Sequence, residues 1–299
     1  MEGRFNIVNG QEINLSPATR QRNFFLLGAG AEYHFLPRSE IYSNFSQAYR
    51  PVLISDLTPP ATTDVIDQNL KDAKGYNFDI GYRGKMSNYL NFDINYFNLQ
   101  YTNRIGTITQ ISTGQNYQFR TNLGRSVSKG FEAYVEFDPV SAFKMSPKAG
   151  NISLFATLAF IDATYRDFKT TTVNNGQIIP GNLAGNRVEN APAQIHRFGA
   201  TYAKKGFSIT WQLSSVGEAY ADAANNRIAN TAATTGLIPS YQVQDLSASL
   251  KFLKNYNLKA GINNLTNEHY FTRRSGGYPG PGILPADGRI VYISGGVKF

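Results

Sequence analysis

The sequence predicts an all-β fold: an antiparallel transmembrane β-barrel, partial, of about eleven strands. Three observations predict it. Side chains alternate strictly between apolar and polar over many short segments, connections alternate between short and long, and no segment of useful length has helical period.

Strict alternation gives a strand one apolar face and one wet face. Less regular strands open the chain at about 23–36 and 40–50. In YNFDIGYR, Tyr76, Phe78, Ile80 and Tyr82 oppose Asn77, Asp79, Gly81 and Arg83. In LNFDINY, Leu90, Phe92, Ile94 and Tyr96 oppose Asn91, Asp93 and Asn95. Irregular strands follow at about 119–137, 151–165 and 195–204. In FSITWQLS, Phe207, Ile209, Trp211 and Leu213 oppose Ser208, Thr210, Gln212 and Ser214. LSASLKF (246–252) and YNLKAGIN (256–263) repeat the pattern. The closing strand sets Val291, Ile293, Val297 and Phe299 against Tyr292, Ser294 and Lys298.

The connections sort by length. Those at 36–39, 84–88, 203–206 and 253–256 are short, and 138–150 belongs with them. Those at 51–69, 103–118, 167–192, 217–240 and 270–288 are long. Every second connection of an antiparallel sheet emerges at the same end, so the long loops share one rim. A soluble sandwich also alternates, with a second sheet against its apolar face. A transmembrane barrel predicts the length sorting as well, and it predicts aromatic girdles. Tyr76, Tyr82, Tyr89, Tyr96, Tyr202 and Tyr256 sit near strand ends, where girdles belong.

Composition narrows the function classes. The chain has 299 residues, 18 Tyr and 20 Phe, a mixture suited to pleated, half-buried surfaces. Its formal charge is +8, but Lys and Arg are scattered and form no basic-aromatic groove, so no nucleic-acid partner is expected. The absence of Cys excludes disulfides, thiolate metal sites and cysteine catalysis. No apolar run reaches the roughly 18 residues of a membrane helix. Residues 1–20 show no signal peptide, which points either to a cytosolic protein or to a start lying further upstream.

Hydrocarbon forces every backbone polar group to be paired, so a spanning sheet must close. Eleven antiparallel strands leave the first and last running the same way. Closure by antiparallel pairing therefore needs an odd number of further strands. The expectation is a C-terminal part of a larger barrel, with 1–21 an outer-loop remnant and 22–299 the barrel portion.

Several segments together resemble TonB-dependent outer-membrane receptors, in particular a ferric-citrate-receptor-like branch of Bacteroidetes type. They are EIYSNFSQAYRPVLISDLTP (40–59), NLKDAKGYNFDIGYRGK (69–85), NLGRSVSKGFEAYVEFD (122–138), GNRVENAPAQIHRFGATY (185–202), INNLTNEHYFTRR (262–274) and YPGPGILPADGR (278–289). The resemblance implies a barrel of 22 strands in the cell outer membrane, with long loops outside and the C-terminus periplasmic. It implies an N-terminal plug, absent here, that contacts the TonB system. It implies energised import of an iron chelate, ferric citrate or another siderophore-like anion. Phe299 resembles the terminal aromatic read by the barrel assembly machinery. Outer-membrane lipid and lipopolysaccharide complete the expected partners.

An anionic chelate needs charge and forked donors, which arginine supplies. Arg50, Arg104, Arg120, Arg187, Arg273 and Arg274 lie at loop–strand junctions and are the candidate ligand-binding residues. Gln110, Gln115, Tyr117 and Tyr278 add possible polar or stacking contacts. The more ordinary role for any one of these arginines is to brace a loop. His34, His196 and His269 are far apart and read as polar lumen or loop residues, so no metal site or cofactor is expected. Glu132 and Glu136 share a strand face and read as lumen groups. No catalytic constellation stands out, so no enzyme is expected. A passive porin-like channel and a surface-binding barrel without transport remain alternatives.

Overall fold

The computed structural model describes residues 5–8, 11–14, 23–53, 56, 64–112, 115–276 and 280–298. Phe299 and Tyr278 lie outside the described residues. Strands β1 (Phe5–Val8) and β2 (Gln11–Asn14) form a ladder of their own. The wall is built from β3 (Gly28–Leu36), β4 (Ser39–Arg50), β6 (Ala73–Met86), β7 (Leu90–Ser112), β8 (Gln115–Phe137), β9 (Asn151–Asn174), β11 (Gln194–Lys204), β12 (Phe207–Val216), β15 (Tyr241–Phe252), β16 (Tyr256–Asn263) and β19 (Ile290–Val297). Each pairs antiparallel with the next, so all eleven expected strands are present in the expected order. Among the described residues, the outer edges of β3 and β19 have no ladder partner.

The smaller strands belong to the long connections. β5 (Asp64–Ile66) adds in parallel to the top of β8, and β10 (Gln177–Asn182) folds back on β9. β13 (Ala219–Tyr220) pairs with β14 (Leu237–Ile238), and β17 (Phe271–Ser275) pairs with β18 (Gly282–Pro285). The structure corrects the reading of two expected loops. Residues 103–112, 115–118 and much of 167–182 are ladder, because β7, β8 and β9 run for 23, 23 and 24 residues. A membrane crossing takes about ten, so more than half of each strand stands clear of the apolar band.

Register fixes the two faces. Across β6, β7, β8 and β9 one face carries Ile80, Tyr96, Phe131 and Phe160 at successive positions. The other carries Asp79, Asn95, Glu132 and Ala159 at nearby levels. The apolar face is open: Phe131 is 60% exposed and Ile94 48%. Apolar side chains so exposed over a whole face require a non-aqueous neighbour. The band ends sharply, since beyond Tyr96, Phe131 and Phe160 the same face carries Asn98, Lys129 and Asp162. His196 is on this apolar face, its ring 5.1 Å from Phe160, and not in the lumen as its polarity suggests.

The polar face is smoothed by a repeated device. Gly81 lies directly opposite Tyr42, and Gly199 opposite Phe155. A Cβ at either glycine would sit 2.4 Å or 2.2 Å from the facing ring. The ring thus lies flat over a position that only glycine can vacate. Glu136 accepts from Asn91 at 3.0 Å and from Ser153 at 2.8 Å on this face, which makes it a wall-bonding group.

Short turns close the opposite rim. The longest holds α1 (Pro139–Ala142), whose N-terminus is capped by Asp138 accepting from the Ser141 N–H at 3.0 Å and hydroxyl at 2.6 Å. Burial alone would raise the Asp138 pKa. The Ser141 and Asn151 donors outweigh it and hold the carboxyl below its ordinary value.

Candidate functional site

The long-loop rim carries a crown in which polar groups are buried. Val52, Leu70, Ala73, Leu123, Ala163 and Tyr165 form its apolar centre, and Leu70 is only 1% exposed. Asp56, 2% exposed, meets Arg50 at the end of β4 and Arg120 within β8. Its carboxylate lies 3.0 Å from Arg50 Nη2 and 2.6 Å from Arg120 Nη2, and it accepts the Leu53 N–H at 2.9 Å. Burial would raise the Asp56 pKa, but the Leu53 N–H and the two guanidiniums prevail and lower it. The site thus keeps its anion. The Arg120 Nε is left buried without a partner among the described residues.

A second buried group centres on Arg104. Its Nη2 lies 3.0 Å from Glu189 Oε1, and its guanidinium sits over Tyr101 and Tyr165 at 5.7 and 5.5 Å. Tyr165, 0% exposed, donates its hydroxyl to the same Glu189. Burial first, then that hydrogen bond, raises the phenol pKa, so Tyr165 stays a neutral donor.

The remaining loops dock in series. Residues 183–193 continue along β9, with Val188 N–H donating to Ala163 O and Tyr165 N–H to Asn186 O, both at 2.9 Å. Arg187 donates from Nη2 to Ile161 O at 2.9 Å. The Asn225 side chain then clasps the Arg187 backbone, accepting its N–H at 2.7 Å and donating to its carbonyl at 2.9 Å. Arg274 ties the next hairpin on, donating to Leu237 O at 2.9 Å and Ala233 O at 3.1 Å while stacking over Phe271. Buried Asn264, at φ 53°, closes the series by donating to Glu268 O at 2.9 Å and accepting the Glu268 N–H at 2.8 Å.

Of the six arginines expected to meet ligand, the structure gives Arg50, Arg104, Arg120, Arg187 and Arg274 bracing partners. Arg273 differs: it is exposed and has no polar partner among the described residues. Gln110 and Tyr117 face each other in the β7–β8 hairpin, and Gln115 pairs there with Ser112. Sequence reasoning missed Asp56 and Glu189, the carboxylates that organise the crown, because nothing local to either marks its distant partner. It also missed that Glu32 and Glu40 flank His34, offering three ligand atoms within 4.8 Å of one another. Arg83 already bridges both carboxylates, so an internal cation offsets one of the two negative charges of this cluster.

Comparison with known proteins follows the geometry. Residues 4–265 match the family model described as TonB dependent receptor-like, beta-barrel. The probable TonB-dependent siderophore receptor PiuA of Acinetobacter baumannii is 25% identical over 288 residues, covering 94% of this chain and 35% of that protein. The crystal structure of the unliganded ferric citrate transporter FecA superposes with a TM-score of 0.69 at 20% identity, over 92% of this chain and 38% of the other. The crystal structure of PiuA gives 0.65 at 21% identity, over 90% and 35%. At such identities the two structures establish the shared fold. The chain spans about a third of the length of the relatives it matches.

Proposed function

The chain belongs to the TonB-dependent receptor-like β-barrel family, and from that premise we propose that it forms part of the wall of an outer-membrane receptor for energised import of an iron chelate. The observation that carries the reading is the division of the wall. An exposed apolar band suits hydrocarbon, and above it the long strands raise a braced, cation-rich crown. The relatives named for siderophore and ferric citrate transport support the substrate class.

In this reading the crown opens to the outside and the short turns, with the C-terminus, face the periplasm. Residues 1–21 belong to an outer loop. The polar face lines a lumen filled by a plug elsewhere in the whole receptor, through which the TonB system acts. Phe299 is the assembly signal, and lipopolysaccharide surrounds the upper edge of the band. The ion pairs of Arg50, Arg104 and Arg120 set the shape of the mouth, while Arg273 meets the anionic chelate. Ferric citrate is the first chelate to test.

The test is uptake of radioiron supplied as ferric citrate and as siderophores, in a strain lacking the gene and in one lacking TonB. Loss in both strains is expected. Uptake that survives without TonB replaces this reading with a passive channel, and surface binding without uptake replaces it with a binding barrel.

A further inference from the structure

Most of the arginines marked in the sequence brace the crown, but three other cations at that end do not. Lys71, Arg125 and Lys169 line a single open cavity of about 480 Å³. Among the described residues, none of their side chains has an ion-pair or hydrogen-bond partner. The cavity also holds two carboxylates, and both are served by neutral donors. Asp67 accepts from the Asn69 N–H at 2.8 Å and the Thr121 hydroxyl at 2.6 Å. Asp167 accepts from Asn182 Nδ2 at 3.3 Å.

Each cation stands on a fixed piece of backbone. The Asn122 side chain clasps Lys71, accepting its N–H at 2.7 Å and donating to its carbonyl at 2.9 Å. Arg125 sits at the register shift between β8 and β9, paired with Asp167 where β9 carries the extra residue Arg166. The neighbouring Gly124 has φ 151° and passes so close to β9 that a Cβ would meet Asp167 O at 1.9 Å. Lys169 is held in the β9–β10 ladder opposite Asn182.

We propose that this cavity binds a small hydroxy-polycarboxylate, the chemistry of citrate or of a chelate built from it. Lys71, Arg125 and Lys169 outnumber Asp67 and Asp167, so the lining keeps a net positive charge that a bound anion offsets. Carboxylates of the ligand meet Lys71, Arg125 and Lys169, and the ligand hydroxyl donates to Asp67 or Asp167. Hydrogen phosphate can also donate its one hydroxyl, but it offers the three cations a single anionic centre where citrate offers three carboxylates. The chelate part of the assignment rests on the import reading; the anion part does not.

The test is calorimetric binding of citrate, tricarballylate (citrate without its hydroxyl) and inorganic phosphate to the whole receptor in detergent. Citrate binds best, with tricarballylate and phosphate each weaker on the order of ten-fold. Lys71→Ala, Arg125→Gln and Lys169→Ala each weaken citrate on the order of ten-fold. Arg125→Lys keeps most of the binding, and Lys148→Ala in the opposite rim changes nothing. Retained heat-modifiable gel mobility shows that the variants fold. Equal citrate binding by wild type and the triple variant overturns the site, as does no citrate binding by wild type. Tricarballylate binding as tightly as citrate overturns the role given to Asp67 and Asp167. Citrate binding that depends on these cations, in a receptor that imports no iron, upholds the site and removes the import reading.

Discussion

The band and the crown are built from the same strands by opposite rules. In the band, large apolar side chains are outside and about half exposed, touching only their neighbours on the same face, with polar groups on the inner face. In the crown, buried Leu70, Tyr165 and Asp56 share the rim with the half-buried pair of Arg104 and Glu189. The difference teaches where the cohesion of each region comes from. The band relies on its ladder and on its surroundings, because exposed Ile94 or Phe131 gains nothing from the protein interior. The crown supplies its own interior and ties it with charge-assisted hydrogen bonds, which are roughly twice as strong as neutral ones.

The sharpest way to break the comparison is to place charge on each face of the band. Ile94→Arg or Leu213→Arg should cost about 2–4 kcal/mol if the residue sits near mid-bilayer. Asn95→Arg and Gln212→Arg, one residue away on the polar face, should be tolerated. Urea unfolding of the lipid-reconstituted receptor measures both. Equal penalties on the two faces would sink the membrane assignment and favour a second protein layer over the apolar side.

In the crown the next largest effect belongs to Asp56. Asp56→Asn leaves Arg50 and Arg120 around a neutral group and should cost about 1–3 kcal/mol, discounted for the partial exposure of both arginines. The exchange rate of the Leu53 amide, bonded to the carboxylate at 2.9 Å, reports it directly. The pH dependence has a definite sign. The folded pKa is lowered, so the stabilisation is present above the unfolded value of about 3.9 and is lost as pH falls through the folded value. Leu53 exchange should therefore be flat from pH 8 to 5 and quicken, relative to an unfolded reference, in stronger acid. In Asp56→Asn that acid step should vanish.

How far these regions were legible in the sequence follows the same division. The band writes itself locally: alternation such as Phe207–Leu213 states which side chains meet hydrocarbon, and it marks six of the eleven wall strands, the five less regular ones being fitted between them. The crown depends on distant pairs. Arg120 and Asp56 meet at 2.6 Å across a separation of 64 residues, and no periodicity encodes that. The β7–β8 hairpin was read as a loop because its side chains serve both crown and solvent, so apolar alternation fades after Tyr96 while the ladder continues. His196 differs for a related reason: a tilted ring contact with Phe160 suits a girdle, whereas polarity alone suggests a lumen. Of the ligand arginines, Arg50 ends β4, whereas Arg104 and Arg120 lie within the β7 and β8 ladders, where they brace neighbouring segments.

Loop docking gives a smaller effect. Asn225→Ala removes both bonds to the Arg187 backbone and should cost about 1 kcal/mol. Hydrogen exchange at Arg187 should accelerate, while exchange in β11 and β12 stays unchanged. Acceleration throughout the wall would mean that crown and band unfold as one unit, and the distinction between them would be structural only.

The smallest effect tests whether burial, and not chemistry, separates the regions. Ser208 and Ser249 share a hydroxyl hydrogen bond of 2.8 Å across β12 and β15, as short as many in the crown. They are on the polar face, where water competes for each hydroxyl. Ser208→Ala should cost only a few tenths of a kcal/mol, several-fold less than Asp56→Asn, in the same unfolding assay. A cost as large as that of Asp56→Asn would show that the inner wall excludes water around β12. The polar face would then need a tightly packed occupant, and the contrast between a self-supporting crown and a solvated inner wall would fail.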